Sequence, residues 1–265
     1  MVQNMWFEFK DAYKIEDLRR IMELLRSDNG CPWDREQNHK SIRANLLEEA
    51  YEAVDAIDRA NDTDLCEELG DVLLQVVFHA RMAEEEGSFT LDDVADGICK
   101  KLILRHPHVF GEVKVSDSAE VLDNWDRIKR VEKKQETALS TLDSVPKAFP
   151  ALMRAQKVGK RAAKAGFDWD AVDGAFDKIT EETDELRAAI SSGKREDMAE
   201  ELGDLLFSIV NVARFLKLDA EDALQSATNK FIDRFGRVER LAASRGLDME
   251  TAGIDALDDL WNEVK

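Results

Sequence analysis

EELGDVLLQVVFHARM at residues 67–82 returns as EELGDLLFSIVNVARF at residues 200–215. In both stretches the apolar residues recur every three or four positions: Leu69, Val72, Leu73, Val76 and Val77 in the first, Leu202, Leu205, Leu206, Ile209 and Val210 in the second. That period gathers them on one face of an α-helix, and no useful length of the chain shows the alternation of a strand. The preceding segments match as well, LEEAYEAVDAI at 47–57 against TEETDELRAAI at 180–190. Glu49 and Glu182 are 133 residues apart, and so are Glu67 and Glu200. An offset that survives an intervening loop marks a duplicated unit.

Outward from this pair, CPWD at 31–34 aligns with FDWD at 167–170, and NWDRIK around Trp125 with LWNEVK around Trp261. Each unit therefore takes about half of the 265 residues. The junction is expected in ETALSTLDSVPKAFP at 136–150, where Pro146 and Pro150 disfavour continued helix. This gives an N-terminal unit over residues 1–145 and a C-terminal unit over 146–265. The predicted fold class is all-α, two tandem related helical bundles, with the two duplicated helices of each unit packed antiparallel because their connection is short.

The polar faces of those helices carry acids at a fixed spacing. Glu49 and Glu52 lie three apart on one helix, Glu68 and Asp71 three apart on the next, and the second copy repeats the set as Glu182, Glu185, Glu201 and Asp204. Residues at i and i+3 share a face, so antiparallel packing brings four carboxylates to one spot. Such a group repels itself unless it takes up protons or holds cations. An all-oxygen donor set suits magnesium or manganese better than zinc or copper. A single ExxE in an acidic chain is usually a solvated helix face; the doublet repeated with identical spacing is what points to a metal site. Gly70 and Gly203 sit beside the acids in both copies, and each costs about 1 kcal/mol relative to alanine inside a helix. Close helix approach or ligand access is the expected reason.

Composition narrows the partners. The apolar content of 44% is ordinary for a globular protein, and no run reaches the ~20 apolar residues that a membrane span needs. The start, MVQNMWFEFKDAYK, lacks the basic and then apolar pattern of a leader. Cys31, Cys66 and Cys99 have no paired spacing and read as reduced thiols. His106 and His108 flank Pro107 and read as structural. A cytoplasmic protein with no membrane partner is expected. The net charge of −19 argues against nucleic acid as a partner, because that affinity rests on Lys and Arg neutralising phosphates. A small phosphorylated ligand responds to local charge instead, since salt screens exposed charges beyond about 8 Å.

Taken together, EExxE followed by EELGDLLF resembles the MazG pyrophosphohydrolases of the all-α NTP pyrophosphatase group. NGCPWDREQ (29–37), RHPHVFG (105–111), PALMRAQK (150–157) and GFDWD (166–170) are similar to stretches of the two-domain bacterial members, in the same order. The resemblance covers nearly the whole chain. It implies helical bundles, a homodimer, and magnesium-dependent cleavage of nucleoside triphosphates to monophosphate and pyrophosphate. It carries nucleotide contacts onto Lys178, Glu181, Glu182, Glu200, Asp204, Lys230, Arg234 and Trp261, all in the second copy. Lys178 stands four residues before Glu182, where the first copy has Asn45. Catalysis is therefore expected in the second copy.

There, Glu182, Glu185, Glu201 and Asp204 are expected to hold Mg2+, or Mn2+ in its place. Lys178, Lys230 and Arg234 offset the phosphate charge, Glu181 or Glu182 orients or deprotonates the attacking water, and Glu201 is required for turnover. Glu49, Glu52, Glu68 and Asp71 form a weaker candidate set in the first copy, which also keeps a Lys101–Arg105 pair and Trp125. Trp169 and Trp261 offer faces for a base, although large aromatics at helical spacing more often belong to a core. No Walker-type GxxxxGK[ST] loop is present. Two other readings remain open: a pyrophosphohydrolase narrowed to one nucleotide, as in the dimeric dUTPase relatives, and a helical module that senses nucleotides or binds another protein without hydrolysis.

Overall fold

A computed structural model describes residues 7–132 and 137–265. Residues 1–6 of the start without a leader pattern and Glu136 of the expected junction lie outside this range. All regular structure among the described residues is helical. The chain divides into two compact units, Met1–Ile128 and Lys129–Lys265.

In the first unit, α1 (Ile15–Leu25), α2 (Pro32–Glu36), α3 (Arg43–Asp58), α4 (Asp62–Glu85), α5 (Leu91–Arg105) and α6 (Pro107–Phe110) follow in order, and α7 (Ser118–Glu132) spans the division. Asn61 caps α4 by accepting from the amides of Thr63 and Asp64, and Thr90 forms a capping box with Asp93 at the start of α5. His106 ends α5 and begins α6, its Nδ1 2.7 Å from the Leu102 carbonyl. The core gathers Met22 from α1, Ile42, and Val77, Phe78 and Met82 from α4.

The second unit holds α8 (Ala138–Asp143), α9 (Ala151–Lys164), α10 (Val172–Ser192), α11 (Arg195–Phe215), α12 (Ala220–Ser244) and α13 (Ile254–Glu263). Residues 138–145, assigned from the sequence to the end of the first unit, pack in the second. Arg161 on α9 donates to the Thr141 carbonyl and to Ser144 Oγ, and Val145 is fully buried. Gln156 on α9 ties in the α11–α12 turn, donating to the Leu218 carbonyl and accepting from the Ala220 amide. Val238, Ala242 and Leu260 form a separate cluster between α12 and α13.

The duplicated helices pair as expected: α3 packs on α4 and α10 on α11, each pair joined by two or three residues and hence antiparallel. The turns are equivalent. Gly193 ends α10 in the left-handed region at φ 74°, and Ala60, at the same place in the first copy, takes φ 50°.

The glycines beside the acids lose one of their two expected reasons. A Cβ added at Gly70 or Gly203 would meet nothing within 4 Å, so close helix approach within the chain is not what these glycines serve. The apolar stripes also do not all face the chain's own core: Leu47, Tyr51, Val54 and Ile57 on α3, and Leu202, Leu206 and Ile209 on α11, are about half exposed. Small residues, Ala53 and Ala56 on α3 and Ala175 and Ala189 on α10, fill the buried side in their place. Periodicity marks an apolar face without saying what covers it.

Candidate active site

Antiparallel packing of α10 on α11 sets the carboxylates of Glu182, Glu201 and Asp204 together, each offering an oxygen within 4.8 Å of the others. The first unit repeats the triplet with Glu49, Glu68 and Asp71. Glu185 and Glu52 stand outside these triplets but act on them. Desolvation first, and then the charges of Glu185, Glu182, Glu200 and Asp204, push the Glu201 carboxyl above its ordinary range. Desolvation and then Glu52, which also hydrogen-bonds to it, do the same to Glu68; desolvation and then Asp71 raise Glu49. Carboxylates whose proton affinity is raised by one another gain from a cation placed among them. The donors are hard oxygens, so both triplets are able to hold a divalent metal ion of the oxygen-loving class.

The copies part at the counter-charge. Lys178 Nζ lies 2.5 Å from Glu182 and 3.0 Å from Glu181, and these two carboxylates, Glu182 first, hold its ammonium well above the ordinary lysine value. The pairing accompanies burial: Glu182 is 3% exposed, the most enclosed acid of the set, and a buried charge needs a partner. Asn45 occupies the equivalent position in the first unit and brings no charge. Glu181 and Glu200 are exposed beside the triplet.

The remaining predicted contacts lie on the α12–α13 pair. The Arg234 guanidinium stacks 5.0 Å from the centre of the Trp261 ring, and its buried Nε has no hydrogen-bond partner among the described residues. Trp261 also packs on Phe231 and on the Val238–Leu260 cluster, and Lys230 is exposed. Among the described residues, no hydrogen bond, ion pair or ring contact joins Lys230, Arg234 or Trp261 to the acids of α10 and α11.

Other polar contacts escaped the sequence. Arg214 on α11 binds both carboxylate oxygens of Asp168 at 2.8 and 2.5 Å, with its Nε 3.2 Å from Asn211 Oδ1, and so clamps the GFDWD loop to the helix. In the first unit, His39 and His79 stack with their Nδ1 atoms 2.8 Å apart, one donating and the other accepting. Burial and then His39 lower the His79 pKa. Partners 40 and 46 residues apart leave no local pattern to read. The one available signal was the repetition of Arg81 as Arg214 within the duplicated helix.

A helical hairpin presenting clustered carboxylates beside a lysine suits an all-α protein that handles phosphate through a divalent cation. Comparison with known proteins specifies it: the MazG nucleotide pyrophosphohydrolase domain matches twice, over residues 37–110 and 174–238, and the chain belongs to the MazG family. It is 47% identical over 258 residues to the nucleoside triphosphate pyrophosphohydrolase of Escherichia coli K12, covering 95% of this chain and 97% of that one. It is 46% identical over 250 residues to the nucleoside triphosphate pyrophosphohydrolase/pyrophosphatase MazG of Thermotoga maritima, covering 94% and 95%. Similarity to the uncharacterized protein YabN of Bacillus subtilis, 46% over 254 residues, takes in 96% of this chain and 52% of that protein. Among the described residues no helix is long and apolar enough to cross a membrane.

Proposed function

We propose that the protein hydrolyses nucleoside triphosphates to monophosphate and pyrophosphate in its second unit, with magnesium held by Glu182, Glu185, Glu201 and Asp204. The carrying observation is the buried Glu182 within the carboxylate triplet, paired with a lysine that the otherwise matching first unit lacks. When bound, the cation supplies charge neutralisation at the phosphoryl oxygens and a more acidic water.

The chain's own groups do the rest. Lys178 sits where it can turn from Glu182 and Glu181 to a phosphate. Glu181 or Glu182 takes the proton of the attacking water. Oxygen bonds to the α-phosphorus, the α–β bridge breaks, and pyrophosphate leaves with the bridging oxygen. Glu200, Lys230, Arg234 and Trp261 complete the nucleotide contacts, Trp261 holding the Arg234 guanidinium by its ring. The exposed stripes of α3 and α11 support a homodimer, since paired copies would cover faces that a single chain leaves open. Free Cys31, Cys66 and Cys99 suit a reducing cytoplasm.

Assaying the common ribo- and deoxyribonucleoside triphosphates with magnesium and with excess chelator tests this reading. Monophosphate and pyrophosphate in equal amounts, lost with chelator, are expected; orthophosphate as the product would refute α–β cleavage.

A further inference from the structure

A cavity of about 420 Å³ opens in the second unit between α9, α11 and the GFDWD loop. Val158 and Ala162 of α9, Phe207 and Asn211 of α11, and Trp169 of the loop form its walls. Its size falls within the range of small-molecule pockets, and its apolar walls with one polar edge match their usual composition. Two glycines let its wall residues pack closely. A Cβ at Gly174 would meet Trp169 Cδ1 at 2.5 Å, and a Cβ at Gly159 would meet Asn211 Oδ1 at 3.0 Å.

The duplication supplies an internal comparison. Phe78 stands in the first unit where Asn211 stands in the second, 133 residues on, and it is 4% exposed within the core around Met22. Asn211 is equally buried, at 5%, and its amide is held by the Phe207 carbonyl and Arg214. A core position that takes phenylalanine in one copy takes a polar amide beside an open cavity in the other. Replacing an apolar core side chain by an amide costs stability unless the amide is hydrogen-bonded, and here it is.

Position along α11 gives the cavity its use. At 100° and 1.5 Å per residue, Asn211 lies within about 20° of the face that carries Asp204 and about 10 Å further along. Phe207 sits one turn beyond Asp204. A ribose and its 5′-oxygen bridge such a gap between a phosphate at the acids and a base in the cavity.

We infer that this cavity receives the nucleobase of the substrate, with Trp169 and Phe207 flanking the ring and Asn211 at its polar edge. The inference rests on the reaction proposed above and adds to it the part of the chain that distinguishes a nucleotide from other triphosphates.

The test compares kcat/KM for purine and pyrimidine nucleoside triphosphates with that for ribose 5′-triphosphate, which has no base. Wild type is measured beside Ala162→Phe and Val158→Phe, each of which fills the cavity from α9, with thermal melting and light scattering on all three. The intact protein should favour at least one nucleoside triphosphate by about tenfold or more, and the filled variants should bring the ratio close to one. A wild-type ratio near one overturns the inference irrespective of how the variants fold. Folded variants that keep the wild-type ratio overturn it too. If they instead change the molecular mass with the ratio retained, the cavity belongs to an interface between copies. Wild type that releases monophosphate and pyrophosphate from none of these substrates brings down the proposed reaction, and this inference with it.

Discussion

Lys178 and Glu182 form an ion pair of 2.5 Å one turn apart on α10, with the carboxylate buried and the ammonium one-third exposed. Among the described residues no ion pair matches it in the first unit, where Asn45 stands four residues before Glu49. Lys178→Met should therefore remove a phosphate partner and leave a buried carboxylate without its counter-charge. A fall in kcat/KM of at least about tenfold is expected in steady-state assays, with Asn45→Met unchanged beside it.

Glu201 is half-buried and has no ion-pair partner among the described residues, so Glu201→Gln leaves packing intact. Turnover should drop by about a hundredfold or more while the melting temperature holds or rises. Glu68→Gln, its counterpart, should leave pyrophosphate release near wild type. Equal losses in both variants would show that both units work.

Stability should depend on pH and on cation together. Glu201, Glu68 and Glu49 all have carboxyls raised above the ordinary 4.5. Between that value and their folded-state values, the folded protein binds more protons than the unfolded chain, so these groups lower stability as pH rises through the window. A cation relieves the repulsion only where the acids are ionised. Magnesium should accordingly raise the melting temperature more at neutral pH than near 4.5, as differential scanning calorimetry would show.

The paired turns respond oppositely to substitution. Ala60 holds φ 50° where Gly193 holds φ 74°, and a left-handed alanine is strained by roughly 1 kcal/mol. Ala60→Gly should stabilise the α3–α4 hairpin by up to about that amount, and Gly193→Ala should cost as much at α10–α11, both read by urea denaturation.

Tyr51 on α3 is 56% exposed and Leu206 on α11 45% exposed, both within apolar stripes. Light scattering should find wild type at twice the chain mass of 30.0 kDa. Tyr51→Arg and Leu206→Arg should shift it towards the monomer, because a charge inside an apolar contact goes unpaired.

The all-α class, the duplication, the acids of each copy and the family resemblance were legible in the sequence. All follow from local spacing: helical period, ExxE and ExxD at i and i+3, and an offset of 133 that needs no coordinates. Tertiary structure decided what local spacing leaves open. It buried Glu182 and left Glu181 in solvent, joined His39 to His79 and Asp168 to Arg214, and placed Arg234 on Trp261 in a different helical pair from the acids. It also turned the stripes of α3 and α11 outward and opened a cavity where the first copy has Phe78. The physical reason is one of range. A helix fixes which residues share its face through bonds four residues long, whereas the occupant of that face depends on how distant segments cross and fill space.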